Sequence, residues 1–335
     1  MRAISERFAA DPAPAAPKAP RVPYPGLAAA LARDAAERLK DAARAKFYRS
    51  PLARLGLAGP LPAHLAVTPD ALAPATLEGA QDILRGAFAL ETGSLAVRGQ
   101  SPFDAEADSA VRAELHRFGW LAHLEKAGGR TAEGVARALT EDWLDRFESW
   151  HALSWRPDVL GPRLVAWAAH FRFLTSDHDL VFRSRLMRAM AEETRHLARS
   201  VDDLPEGPAR LAAAAALAVM AAAMPEAVKR PERAFAALAA AIGGTFGADG
   251  GIVTRSPHDQ AEAVAALARV KRALGDARMA MPPAFEAALA AAEARLAMLR
   301  FGDGGLACFH ASREGDRVLL GDIAGGARPA GPSFA

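Results

Sequence analysis

Between about residue 104 and residue 300 the apolar residues recur at three- and four-residue steps, and this spacing narrows the possible folds more than any other feature of the chain. Val135, Leu139, Trp143, Phe147 and Trp150 step by 4, 4, 4 and 3. Leu160, Leu164, Trp167, Phe171 and Leu174 step by 4, 3, 4 and 3, and Phe285, Leu289, Ala292, Leu296 and Leu299 repeat that spacing. At 3.6 residues per turn each set falls on one helix face as an apolar stripe, which must be buried against another element. Further helices are predicted over 27–48, 179–200, 207–224, 228–246 and 257–275, separated by short Pro or Gly breaks. Long amphipathic helices on short connections pack as successive antiparallel pairs. A bundle, a solenoid and a closed toroid all satisfy that pattern, and no fixed repeat in the sequence chooses among them.

Three regions break the helical rhythm. Residues 1–26 read as a flexible Pro/Ala arm without the apolar run of a signal peptide, which predicts a cytoplasmic protein. Residues 87–99, "AFALETGSLAVRG", hold two strand-like runs around Glu91-Thr92-Gly93 and predict a small hairpin, isolated among helices as a flap. After Arg300 the runs Leu306–Phe309 and Val318–Leu320, set between Gly/Asp turns, read as short strands. The expected organisation is therefore an arm over 1–26, a helical domain over 27–303, and the start of a truncated β region over 304–335.

Composition excludes several classes. At 51% hydrophobic residues the chain can bury a sizeable core, and a net charge of +2 gives no field that argues for nucleic acid. The basic face of residues 183–199 reads as a solvated helix face, since Glu192 and Glu193 interrupt it. The apolar stretch from Arg210 is alanine-dominated and cut by Pro225, so it predicts a buried core helix and no membrane span. One cysteine, Cys308, excludes an internal disulfide and a cysteine-based metal cluster. His116 and His123 lie seven residues apart without a carboxylate or cysteine at ligand spacing, so no metal is expected, and no cofactor motif is present.

Three motifs, "LHRFGWLAHL" (115–124), "GADGGIVTRSP" (247–257) and "RFGDGGLACFHA" (300–311), resemble the heparinase II/III-like family of polysaccharide lyases, and the similarity runs from about 84 to 323. The resemblance implies an incomplete α/α toroid of paired antiparallel helices, normally followed by an antiparallel β-sandwich, of which residues 304–335 would be only the start. It also implies β-elimination on an acidic polysaccharide and a periplasmic setting. Such an elimination must neutralise the uronate carboxylate, remove the C5 proton and protonate the leaving O4. The family places an Asn-His pair at the head of one helix and a Tyr-His pair just after its DG…SP motif. In this chain "RSP" is followed by His258, Asp259 and Gln260, and "LPEGPARL" at the other position supplies neither amide nor imidazole.

What remains for catalysis is Arg255, which can pair with a carboxylate through two nitrogens, and His258, which can take a proton near neutral pH. Ser256 at the N-cap, Pro257 at N1 and Asp259 at N3 predict a helix start that favours anions. Substrate contacts are expected at Asp249, at Trp155 and Arg156 in "SWRPD", at Arg163 and at His310, while Trp143, Trp150 and Trp167 belong to core stripes. Two readings stay open: a lyase, or a carbohydrate-binding or scaffold protein that kept the fold without the catalytic pairs.

Overall fold

A computed structural model describes residues 27–323 apart from Arg49, Arg98, His178, Ala311, Arg313, Glu314 and Asp316. The predicted arm over 1–26 and the last residues of the predicted β region, 324–335, lie outside the described residues. The described residues fall into two compact units, one ending at Phe47 and the other beginning at Tyr48. Helix α1 (Leu27–Tyr48), all but its last residue in the first unit, occupies the predicted range and carries a one-turn ion pair, Arg38 to Asp34 at 2.8 Å.

The second unit opens with α2 (Pro51–Leu57), α3 (Leu77–Leu84) and the antiparallel hairpin of β1 (Ala87–Leu90) and β2 (Gly93–Ala96). Short helices α4 (Ser109–Leu115) and α5 (Leu121–Ala127) lead to α6 (Gly129–Phe147), α7 (Pro157–Ala169), α8 (Phe171–Leu174) and α9 (Leu180–Ser200). Then follow α10 (Pro208–Ala223), α11 (Pro231–Thr245), α12 (Pro257–Asp276), α13 (Pro283–Met298) and α14 (Arg317–Ile323). Proline at the first helical position starts α7, α10, α11, α12 and α13, where its missing N–H costs nothing. The predicted bounds of α9 to α12 agree to within three residues.

Alanine sets the packing. In α10 the run Ala213–Ala223 is buried throughout, and this helix lies between α7 and α12 with α11 along its flank. Gly161 of α7 meets α10 so closely that an added Cβ would stand 3.1 Å from Ala216 Cβ and 3.2 Å from Ala213 Cα. Thus α7, α10 and α12 form an inner row of small-residue contacts, and α9, α11 and α13 cover it from outside. The result is the expected mainly helical, toroid-like arrangement of paired helices.

Pro162 inside α7 cannot donate to the carbonyl of Asp158 four residues back. Arg117 Nε donates to that oxygen instead, at 3.2 Å. Other arginines do similar work on the proline-rich segment before α3: Arg269 Nε and Nη2 donate to the carbonyls of Ala71 and Leu72 at 2.7 and 2.8 Å, and Arg195 donates to those of Leu57 and Pro60. Arg195 and Arg269 therefore satisfy loop carbonyls from distant helices.

Two expectations are corrected. Val318–Leu320 is part of helix α14, whose Leu319, Leu320 and Ile323 are buried and which packs on α12; among the described residues Leu306 contributes only an isolated bridge to Arg300. A short apolar run has no periodicity of its own, and here burial against α12 selects the helix. The hairpin is no free flap either. Phe88 is buried edge-on to Trp120, 5.8 Å between ring centroids, and the turn amides of Glu91 and Thr92 donate to the Glu114 carboxylate at 2.5 and 2.7 Å.

The apolar core between α6, α7 and α9 encloses a polar cluster. Arg163, fully buried, donates through Nε and Nη2 to Glu193 Oε2 at 3.1 and 2.9 Å and through Nη1 to the His116 carbonyl at 3.1 Å. Its guanidinium stands 4.3 Å from the Trp143 ring centroid and 5.4 Å from that of Trp167. Trp143 Nε1 donates to His116 Nδ1 at 2.8 Å, an acceptor role that a neutral imidazole fills. Burial, aided by the Arg163 charge, lowers His116 to about 3, and burial lowers His196 to about 4. Burial raises Glu193 to about 7 against the pull of Arg163.

These shifts predict a pH dependence of stability. Both histidines are depressed, so their contribution is complete above 6.5 and is lost as pH falls, because the unfolded chain takes up the protons. Glu193 opposes them between about 7 and 4.5, where the folded state holds the extra proton. From pH 6.5 to 4.5 the net uptake on unfolding approaches one proton, a loss of about 1.4 kcal/mol per pH unit. Urea midpoints across this range should fall accordingly, and a flat profile would contradict neutral buried histidines.

Candidate functional site

The head of α12 forms as the sequence predicts. Ser256 is the N-cap, its hydroxyl accepting from Asp259 N at 3.2 Å, and Pro257 is the first helical residue. The loop that feeds it is closed on itself: Gly247 N donates to Gly251 O at 2.8 Å, Gly250 N to Gly247 O at 3.0 Å, and Gly251 N to Asp249 Oδ1 at 3.1 Å. After α13 the same bonds recur, from Phe301 N to Gly305 O at 2.9 Å, Gly304 N to Phe301 O at 3.0 Å, and Gly305 N to Asp303 Oδ1 at 2.9 Å. Each loop carries an isolated antiparallel bridge, Phe246 with Ile252 and Arg300 with Leu306. "GADGGI" and "FGDGGL" are one turn used twice, each following an outer helix, α11 and α13. Asp249, expected at substrate, serves this turn, with its other oxygen 3.9 Å from Arg295.

The two positions after Ser-Pro-His are also committed to structure. Asp259 Oδ2 accepts from the Thr254 hydroxyl at 2.6 Å. Gln260 is fully buried; its Oε1 accepts from Ile252 N at 2.8 Å, and its Nε2 donates to the carbonyls of Gly250 and Ala292, each at 3.0 Å. One side chain thereby ties the turn to both α12 and α13. At the head of α10, Gly207 with φ 129° is the N-cap, and no side chain caps the helix.

His258 keeps company that no local pattern announced. Its Nε2 lies 3.4 Å from Glu91 Oε2 at the hairpin tip, and its backbone N–H donates to Ser312 Oγ at 2.9 Å. Glu262, one turn along α12, joins them: one donor atom each from Glu91, His258 and Glu262 lies within 4.8 Å of the others. This is a group of divalent-cation donors that spacing along the chain could not reveal, because Glu91 comes from a distant element. Chemically it surrounds the imidazole with carboxylates, so a uronate brought to His258 would meet like charges. Arg255, just before this helix start, is exposed, with φ 57° in the left-handed region. His310 is exposed with φ 49°, its ring edge-on to Phe309 at 5.5 Å.

The other expected contacts separate from this head. Trp155 is 2% exposed, and its indole N–H donates to the carbonyl of Phe147 at 2.9 Å, satisfying one of the orphan acceptors at the end of α6. A ring so enclosed has no face for a sugar, which corrects the expected stacking role. Arg163 is likewise corrected, since a guanidinium without exposure is spent on Glu193 and His116. Arg156 remains half exposed, but both of its forks engage Asp158, through Nε at 3.0 Å and Nη2 at 2.5 Å.

No family model matches the chain. FtsZ-localized protein C of Caulobacter vibrioides (strain NA1000 / CB15N) is 32% identical over 262 residues, a match covering 77% of this chain and 45% of that protein. The chain thus spans less than half the length of this curated relative. Among solved structures, heparinase III superposes with a TM-score of 0.59 at 17% identity, covering 89% of this chain and 50% of that one. Heparan sulfate lyase HepC from Pedobacter heparinus gives a TM-score of 0.52 at 18% identity, covering 82% and 46%. These likenesses show that the chain has the heparinase III-like fold that its motifs implied.

Proposed function

We propose that this chain is a heparinase-fold scaffold that does not cleave polysaccharide, and that it works in association with FtsZ, as the name of its curated relative says of that protein. The observation that carries the first half is the fate of Asp259 and Gln260: where the lyase pattern needs a phenol and an imidazole, one side chain braces a loop and the other is buried with its amide fully bonded. The carboxylates of Glu91 and Glu262 around His258 further oppose a negatively charged substrate. Of the two compartments, this reading takes the cytoplasm. Among the described residues no helix is long and apolar enough to cross a membrane.

The second reading, a lyase acting through Arg255 and His258, rests on their place at the head of α12. Incubation with a panel of uronate-containing polysaccharides, followed by ultraviolet absorbance of unsaturated uronate, decides between them. No product is expected. Product formation that His258→Ala and Arg255→Ala both abolish would overturn the scaffold reading. The FtsZ half is tested separately by co-sedimentation with FtsZ polymers, where enrichment in the pellet is expected and its absence rejects the association.

A further inference from the structure

A second recess lies away from the α12 head and is independent of that reading. A cavity of about 760 Å³ opens on the outer side of α10, between the end of α9 and the start of α11. Its floor is apolar, formed by Leu217 and alanines that include Ala234 and Ala237. Its walls carry Arg195, Arg199, Lys229, Arg230 and Arg233 against one acid, Asp202. Arg210 already holds that acid, Nη2 to Oδ1 at 2.6 Å. Among the described residues no carboxylate pairs with Lys229, Arg230 or Arg233.

Two features make this more than a charged surface. Arg195 is 5% exposed, and although its terminal nitrogens bond the carbonyls of Leu57 and Pro60, its buried Nε has no partner among the described residues. Burial lowers the Arg195 pKa, with Glu192 offsetting part of the cost, so an anion held in the adjoining cavity would favour the charged guanidinium. In addition α11 starts at this cavity with Pro231 at its first position, directing the positive end of a 15-residue helix to the same place. The turn at the far end of α11, which leads to the candidate site, is about 18 Å from Arg233 along the helix axis.

From these residues we infer that the cavity is a binding site for a small phosphorylated molecule. A volume of 760 Å³ suits a metabolite-sized ligand. Guanidinium forks match phosphate oxygens in pairs, and the alanine floor offers an apolar surface to the organic part. Inorganic pyrophosphate represents the shared chemistry, and ADP adds a flat organic moiety.

Titration calorimetry on the full chain should show saturable binding of pyrophosphate in the millimolar range or tighter, with ADP tighter than pyrophosphate and adenosine silent. Arg230→Glu together with Arg233→Glu, both exposed positions whose reversal leaves the core intact, should weaken pyrophosphate by at least about tenfold. The Nε–H resonance of Arg195, assigned with Arg195→Lys, should shift on titration. Absence of binding, binding unchanged by the double reversal, or an unmoved Arg195 signal would each reject the site. If ADP gains nothing over pyrophosphate, the organic half of the assignment fails. If a poly-glutamate peptide displaces pyrophosphate far more tightly than pyrophosphate binds, the cavity seats an acidic protein segment and the small-molecule assignment falls.

Discussion

Arg163→Met should lower stability by about 3–5 kcal/mol, because it leaves Glu193 buried without its partner. Glu193 is 1% exposed, and its second oxygen has no bond among the described residues, so the lost charge pair has no local substitute. The loss should depend on pH in a specific direction. Glu193 already binds a proton readily, near about 7, and without Arg163 its affinity for that proton must rise further. Below about 7 the carboxyl is neutral with or without Arg163 and the defect is smallest; it grows as pH rises from there toward the variant's own, higher pKa. Adding Glu193→Leu to Arg163→Met should recover much of the stability, since two apolar groups of similar volume leave no buried charge. Urea denaturation of the single and double variants at acidic and alkaline pH measures all of this. A single variant with unchanged stability at pH 8 would falsify the assignment of the pair as a core element.

Gly250→Ala should cost about 3 kcal/mol or more, whereas Gly304→Ala should cost only about 1–2 kcal/mol. The two glycines hold equivalent places in the repeated turn, with φ of 72° and 89°, so the strain of a left-handed alanine applies to both. They differ in surroundings. A Cβ on Gly250 would stand 2.5 Å from the carbonyl carbon and oxygen of Ala291, which is main chain of α13 and has no room to retreat. On Gly304 the nearest atom is the Arg300 guanidinium at 3.8 Å. Comparing thermal midpoints of the two variants isolates the steric part, and equal losses would mean that contact with α13 is unimportant.

The long helices were legible because their boundaries rest on local signals: proline at the first position, a serine cap at Ser256, and apolar stripes of helical period. The two-residue turn of the hairpin was equally local. What the sequence hid is contact across distance. Trp155 sits in a loop with proline and charged neighbours, so it reads as a surface ring until α6 and His196 are seen to enclose it. Arg163 meets Glu193 thirty residues on, and His258 meets Glu91 from the hairpin, pairings that no spacing along one helix encodes. The candidate site was legible in part: the helix head at Ser256 was foreseen, its acidic surroundings were not. The repeated turn was in plain view as "GADGGI" and "FGDGGL", yet a search for a period of whole helices passes over it, because the connection recurs while the helices around it diverge.

That duplicated turn is one backbone form held in two different settings. Both copies follow an outer helix, α11 in one case and α13 in the other, and each is closed by an isolated bridge. Gln260 ties the first copy to α13, whereas Asp303 of the second pairs with Arg317 at 3.0 Å, so the same backbone turn is locked in place by different neighbours and each copy can change its surroundings without the other.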